Sequence, residues 1–232
     1  MSTTDVQHHK DMIERVATAL GAELLSKVAF IGGCTTGLHL TDAMAKESVR
    51  HTKDVDLIVP VIGRVEWQHL QERLRAQGFH DSLHEEAPLC ALFLGDLRVD
   101  FMPYDADILG FTNRWYEQAL ERTLDVQVGK TTVRLVAPHY FLATKFEAYR
   151  GRGNGDVWAS TDIEDIIAIF YGRPEIVEEV AAAPEDLKVY LQAELDALLD
   201  HPHIDYAIQS AVNGDADLMK LIYSRMEKAA GH

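Results

Sequence analysis

The hydrophobic pattern of the chain changes at Pro138, and that change limits what the chain can fold into. Before it, short apolar runs alternate with helical spacing. VAFIGG (28–33) ends at glycines, and DVDLIVPV (54–61) is apolar after its first three residues. PLCALFLGDLRVDFMP (88–103) reads as two strands joined at Gly95-Asp96, and VQVGKTTVRLV (126–136) as a hairpin turning near Gly129-Lys130. Short apolar runs bounded by turn residues are the signature of strands. Between them, the spacing predicts helices over Asp5–Leu25, Thr35–Ala45 and Val65–Gln77, the last stopped by Gly78. From Pro138 onward the spacing is helical almost to the end. Pro138 suits a helix start because it has no N–H to leave unpaired there. PHYFLATKFEAYRG reads as one helix, GRGNG as a loop, and STDIEDIIAIFYG as a second helix capped by Ser160 or Thr161. Residues 174–232 should add two to four more. The expected fold is α+β, with a mixed β-sheet and helices over residues 1–137 followed by an all-helical domain over 138–232.

The 232 residues are 47% hydrophobic and 25% charged, enough for a real core. No charged leader precedes an apolar run and no segment is long enough to span a bilayer, so the expectation is a soluble, cytoplasmic protein with no membrane partner. Cys34 and Cys90 lack any CxxC spacing and read as small buried thiols. The net charge of −15 argues against a broad nucleic-acid surface, which is usually basic. It leaves room for a local basic patch or a cationic small substrate.

Gly32 and Gly33 follow a strand and precede a helix. Lacking Cβ, they let a phosphate oxygen approach the backbone, and the helix start offers N–H groups to an anion. A tight turn with no ligand is the plainer reading of two glycines alone. Asp54 and Asp56 add weight. At i and i+2 on a strand they point to one face while Val55 points away. Adjacent carboxylates repel unless a cation sits between them, and Mg²⁺ takes hard oxygen ligands of this kind. A solvated edge strand would also carry two acids, but DLIVPV is apolar enough for an interior one. Asp100, in LRVDFMP, is the candidate third carboxylate, able to complete a metal clamp or act as base. Its rivals nearby are Asp96, Asp105 and Asp107.

Together, GG, DVD at the head of a strand and RVD in a later strand resemble the DNA polymerase β-type nucleotidyltransferase superfamily. RHTKDVDLIV and ATKFEAYRGRGNGDVWASTDIEDI are similar to stretches of its AbiEii-type, toxin-like members. The resemblance covers about 29–169. It departs where Cys34 replaces the usual Ser or Thr, with Thr35 or Thr36 as substitutes, and where Arg152–Asp162 is longer than in the family. It implies Mg²⁺ (or Mn²⁺) on Asp54, Asp56 and Asp100, an NTP substrate, and Gly32 and Gly33 at its β- and γ-phosphates. It implies Lys145 beside the triphosphate, where Tyr149 and Arg152 share its helix face, with the helical domain completing the cleft. Thr35, Arg50, Thr52, Arg152, Asp162 and Asp165 are further nucleotide-site candidates. Plainer readings stand beside several: a solvated Lys145, an exposed Arg50, a turn for Thr52, and helix-dipole acids for Asp162 and Asp165. The implied activity is transfer of an NMP to an acceptor hydroxyl. The acceptor is left open between a tRNA (with a possible antitoxin partner), a protein and a small cationic molecule such as an aminoglycoside. A non-catalytic binding protein of the same fold is the remaining alternative. Among the histidines only His51, beside DVD, invites inspection.

Overall fold

The structure, a computed structural model, describes residues 5–82, 88–152 and 155–232, with the side chain of Arg152 excepted. The chain divides into two compact units: Met1–Thr35 with His51–Ala137, and Thr36–Arg50 with Pro138–His232. One boundary falls where the hydrophobic period changes. The helical unit also takes in Thr36–Arg50, a segment from the N-terminal half of the chain.

The first unit carries one seven-stranded mixed sheet. In chain order its elements are α1 (Asp5–Leu25), β1 (Ala29–Ile31), β2 (Asp54–Val59), α3 (Gly63–Ala76), β3 (His80–Asp81), β4 (Ala91–Leu94), β5 (Leu97–Pro103), α4 (Ala106–Leu109), α5 (Tyr116–Glu121), β6 (Thr123–Val128) and β7 (Thr131–Val136), with α2 (Thr36–His39) belonging to the second unit. The strand order is β3-β4-β5-β2-β1-β7-β6. β2 runs parallel to β5 and antiparallel to β1, so it is interior, as its apolar second half requires. β1 is parallel to β7, and β4–β5 and β6–β7 are the two hairpins expected from their turns.

The helix expected over Thr35–Ala45 is broken into pieces. A 3₁₀ turn at Gly33–Thr35 leads into the single turn of α2, and a second 3₁₀ turn follows at Ala45–Ser48. The interruption has a local cause. The N–H groups of Thr41 and Asp42 donate to the Gly172 carbonyl instead of continuing a helix (2.9 Å each). The Asp42 carboxylate then accepts from the N–H groups of Met44 and Ala45, starting the second turn. The short elements β3, α4 and α5 had no period long enough to be read. Asp105 caps α4 by accepting from Asp107 N–H (2.9 Å) and also accepts from Gly63 N–H (2.7 Å). Asp96, exposed, pairs with Arg15. Asp96 and Asp105 are therefore engaged elsewhere, and the third rival of Asp100, Asp107, is exposed in the first turn of α4.

The second unit is built on α6 (Pro138–Arg152) and α7 (Thr161–Gly172), followed by α8 (Ile176–Ala181), α9 (Glu185–Leu199), α10 (Ile204–Ala211) and α11 (Ala216–Ala230). Ser160 caps α7, its hydroxyl accepting from Ile163 N–H at 3.3 Å. Phe141, Ile163, Ile166, Phe170, Leu187 and Ile222 have no exposure and form its core. Gly172 is required by packing: a Cβ there would stand 2.7 Å from that of Ala45. Among the described residues, no helix is long and apolar enough to cross a membrane.

Candidate active site

Three sequence-distant motifs meet on three neighbouring strands. Ile31, next to Gly32, pairs with Asp56 across β1 and β2. Across β2 and β5, Asp54 pairs with Arg98 and Asp56 with Asp100. Register partners in a parallel pair share a face, so Asp54, Asp56, Arg98 and Asp100 form four corners of one patch. Val55, Leu57, Val99 and Phe101 point the other way and are completely buried.

Each corner has a partner. Asp54 accepts from the Thr52 hydroxyl at 2.5 Å. Arg98 forks onto Asp100, Nε to Oδ1 at 2.8 Å and Nη2 to Oδ2 at 2.7 Å. Asp56 lies against Gly32, whose φ is +83°; a Cβ built there would sit 1.9 Å from Asp56 Oδ2. Glycine is needed at Gly32 for both the backbone angle and the close carboxylate. The Thr35 hydroxyl and N–H both bond to the Gly32 carbonyl, closing the turn. Gly33 is buried in that turn. Cys90, buried as expected, lies close enough to feel the patch: burial and then the charge of Asp100 push its thiol up to about 11. It is uncharged at neutral pH.

The donor set suits a divalent cation by its chemistry. Three hard-oxygen side chains share one face, and a bare glycine Cα leaves room at Asp56. The carboxylates are not gathered around a common point: among the described residues no group of three or more His, Cys, Asp or Glu side chains is set to hold a metal ion.

The helical unit holds a second charged cluster. Asp165, 1% exposed, accepts from Arg50 through Nε (3.1 Å) and Nη2 (2.8 Å), from Lys145 Nζ (2.6 Å) and from the Thr36 hydroxyl (2.9 Å). Lys145 also bonds Asp162 at 3.1 Å. Burial alone would discharge Asp165, but Lys145 and Arg50 outweigh it and hold the carboxyl below the usual range. Burial likewise opposes the charge of Lys145, and Asp165 and Asp162 reverse that, raising its pKa. A cavity of about 340 Å³ lies beside the cluster, lined in part by Arg50, Glu164, Trp158 and Tyr171.

These contacts replace several plainer readings. Lys145, whose plainer reading was a solvated lysine, is 5% exposed and engaged by two carboxylates of its own unit. Ser160 caps α7, so neither Asp162 nor Asp165 does, while Asp162 lies in the first turn, where an acid complements the helix dipole. Arg50 is half-buried and paired. Thr52 supports Asp54 and is not merely a turn residue. The side chain of Arg152, and Gly153 and Asn154 of the GRGNG loop, lie outside the described residues. His51 pairs with Asp5 at 2.8 Å and stacks on His8 at 5.3 Å. One residue was missed. Arg98 was legible, since RVD repeats the i, i+2 spacing of DVD. Thr36 gave no signal for its bond to Asp165, 129 residues away.

No family model matches the chain, and no curated protein matches it. Solved structures similar to it include the following two. An antigenic nucleotidyltransferase-like protein from Paracoccidioides brasiliensis aligns at a TM-score of 0.49 and 19% identity, covering 93% of this chain and 92% of that one. The antibiotic-resistance factor ANT(2'')-Ia aligns at 0.49 and 18%, covering 84% and 97%. At these scores neither likeness defines a family for the chain.

Two outcomes are expected. Gly32→Ala should destabilise the protein by about 1–3 kcal/mol through backbone strain and should also displace Asp56. Gly63→Ala is the control: its φ is +75° but a Cβ there meets nothing within 4 Å. Urea unfolding of both should show the larger loss at Gly32. Asp165→Asn should cost roughly 3–5 kcal/mol at neutral pH, because it leaves buried cations undercompensated. The folded pKa of Asp165 is depressed, so its stabilisation is complete above the unfolded value of about 3.9 and is lost as pH falls through the lower folded one. Urea midpoints of wild type and Asp165→Asn should therefore converge below about pH 4.

Proposed function

We propose that the chain is a metal-dependent nucleotidyltransferase that moves an NMP from an NTP to an acceptor hydroxyl and releases pyrophosphate. The observation that carries this reading is the convergence of a glycine turn and three carboxylates on β1, β2 and β5. Mg²⁺ (or Mn²⁺) held by Asp54, Asp56 and Asp100 would neutralise charge on the triphosphate and on the departing pyrophosphate. The turn at Gly32 and Gly33 presents backbone to the phosphates without side-chain obstruction. Thr52 orients Asp54, and Gly32 fixes where Asp56 can stand. Asp100 takes the proton of the acceptor hydroxyl as its oxygen bonds to the α-phosphorus and the bond to the β-phosphate oxygen breaks. Lys145 and Arg50 enter through Asp165. That carboxylate ties both ends of Thr36–Arg50, the segment joining the glycine turn to β2.

The AbiEii-like residues favour a tRNA end as acceptor and an antitoxin as partner. The net charge of −15 favours a small cationic acceptor such as an aminoglycoside, which it would attract. The test is to incubate the protein with each α-labelled NTP and Mg²⁺, against separate pools of tRNA, protein extract and aminoglycosides. One pool should take label from wild type and none from Asp54→Asn/Asp56→Asn. Label transfer by the double variant would remove these residues as ligands. No labelled pool would favour a non-catalytic binding protein.

A further inference from the structure

We infer that Arg98 is a built-in counter-ion that competes with a divalent cation for Asp100 and so sets how readily the patch takes metal before nucleotide arrives. The inference rests on reading Asp54, Asp56 and Asp100 as metal ligands. Its basis is the four-cornered patch, in which three corners are carboxylates and the fourth is a guanidinium. Arg98 stands opposite Asp54 in the register and forks onto both oxygens of Asp100. Two parallel charge-assisted bonds from a planar guanidinium fill the carboxylate edge that a metal would use. Asp100 has little freedom to turn away. It is 7% exposed on a strand flanked by β4 and β2. The side chain of Arg98 is 39% exposed, so the guanidinium has a route to solvent. Exchange of one cation for another therefore moves Arg98 and leaves Asp100 where it is.

A residue that merely held Asp100 in shape would make the opposite prediction: its loss would weaken metal binding. The experiment is direct Mn²⁺ binding by electron paramagnetic resonance, without nucleotide, on wild type, Arg98→Met, Arg98→Lys and Asp54→Asn/Asp56→Asn. Arg98→Met should bind Mn²⁺ more tightly by roughly tenfold or more, since a bidentate charge-assisted pair no longer competes. Arg98→Lys keeps the charge and loses the fork, so it should move the same way by less. Equal or weaker binding by Arg98→Met overturns the inference. Should that variant not fold, equal or weaker binding by Arg98→Lys does so. Loss of Mn²⁺ in the Asp54/Asp56 double variant with no gain in the Arg98 variants would sink only the role of Arg98. Wild-type binding in that double variant would sink the metal site itself, and the inference with it.

Discussion

Everything proposed for this chain depends on the register of β5 against β2. With Asp54 opposite Arg98 and Asp56 opposite Asp100, four charged side chains share one face. A slip of one residue would move Arg98 and Asp100 to the other face and bring Val99 and Phe101 onto this one. That slip is strongly opposed. Val55, Leu57, Val99 and Phe101 are completely buried, and Phe101 meets Phe79 edge to face at 5.4 Å. Exchanging them for an aspartate and an arginine would strip apolar surface from the core and bury charge, each costly by itself. The apolar face therefore fixes the polar one, and the chemistry of the patch follows from the packing behind it.

The second constraint is the carboxylate of Asp165. The chain leaves the sheet-bearing unit directly after the glycine turn and returns directly before β2. Thr36 stands at the first crossing and Arg50 at the second, and both bond to Asp165. A buried acid with two cations and a hydroxyl is satisfied where an unpaired one would not be. Such a cluster is weak evidence for stability against an apolar alternative. It is better understood as specifying where the two ends of one segment lie.

Much of this was legible in the residues. The change of period at Pro138 coincides with one of the places where the chain passes between the two compact units, and the period-2 rule placed Asp54 and Asp56 on one face. It would have placed Arg98 beside Asp100 had it been applied to RVD as it was to DVD. Strand order was not legible, because no local signal says that β2 lies between β1 and β5. Nor was the break in the helix after His39, which depends on the N–H groups of Thr41 and Asp42 finding the distant carbonyl of Gly172 in α7. Lys145 shows the general difficulty. A lysine in a helix reads as solvated or functional, and only tertiary contact reveals it as buried between two acids.

The central claim is that the carboxylate patch binds a metal–nucleotide complex, and ligand-dependent stability tests it most directly. Thermal unfolding of wild type and of Asp54→Asn/Asp56→Asn should be followed with and without Mg²⁺ and each NTP. With the correct NTP at a hundredfold excess over its dissociation constant, wild type should gain about 2.7 kcal/mol. The double variant should gain little, while melting no lower than wild type when no ligand is present. An equal gain in both proteins, or no gain in wild type with any NTP, would contradict the account.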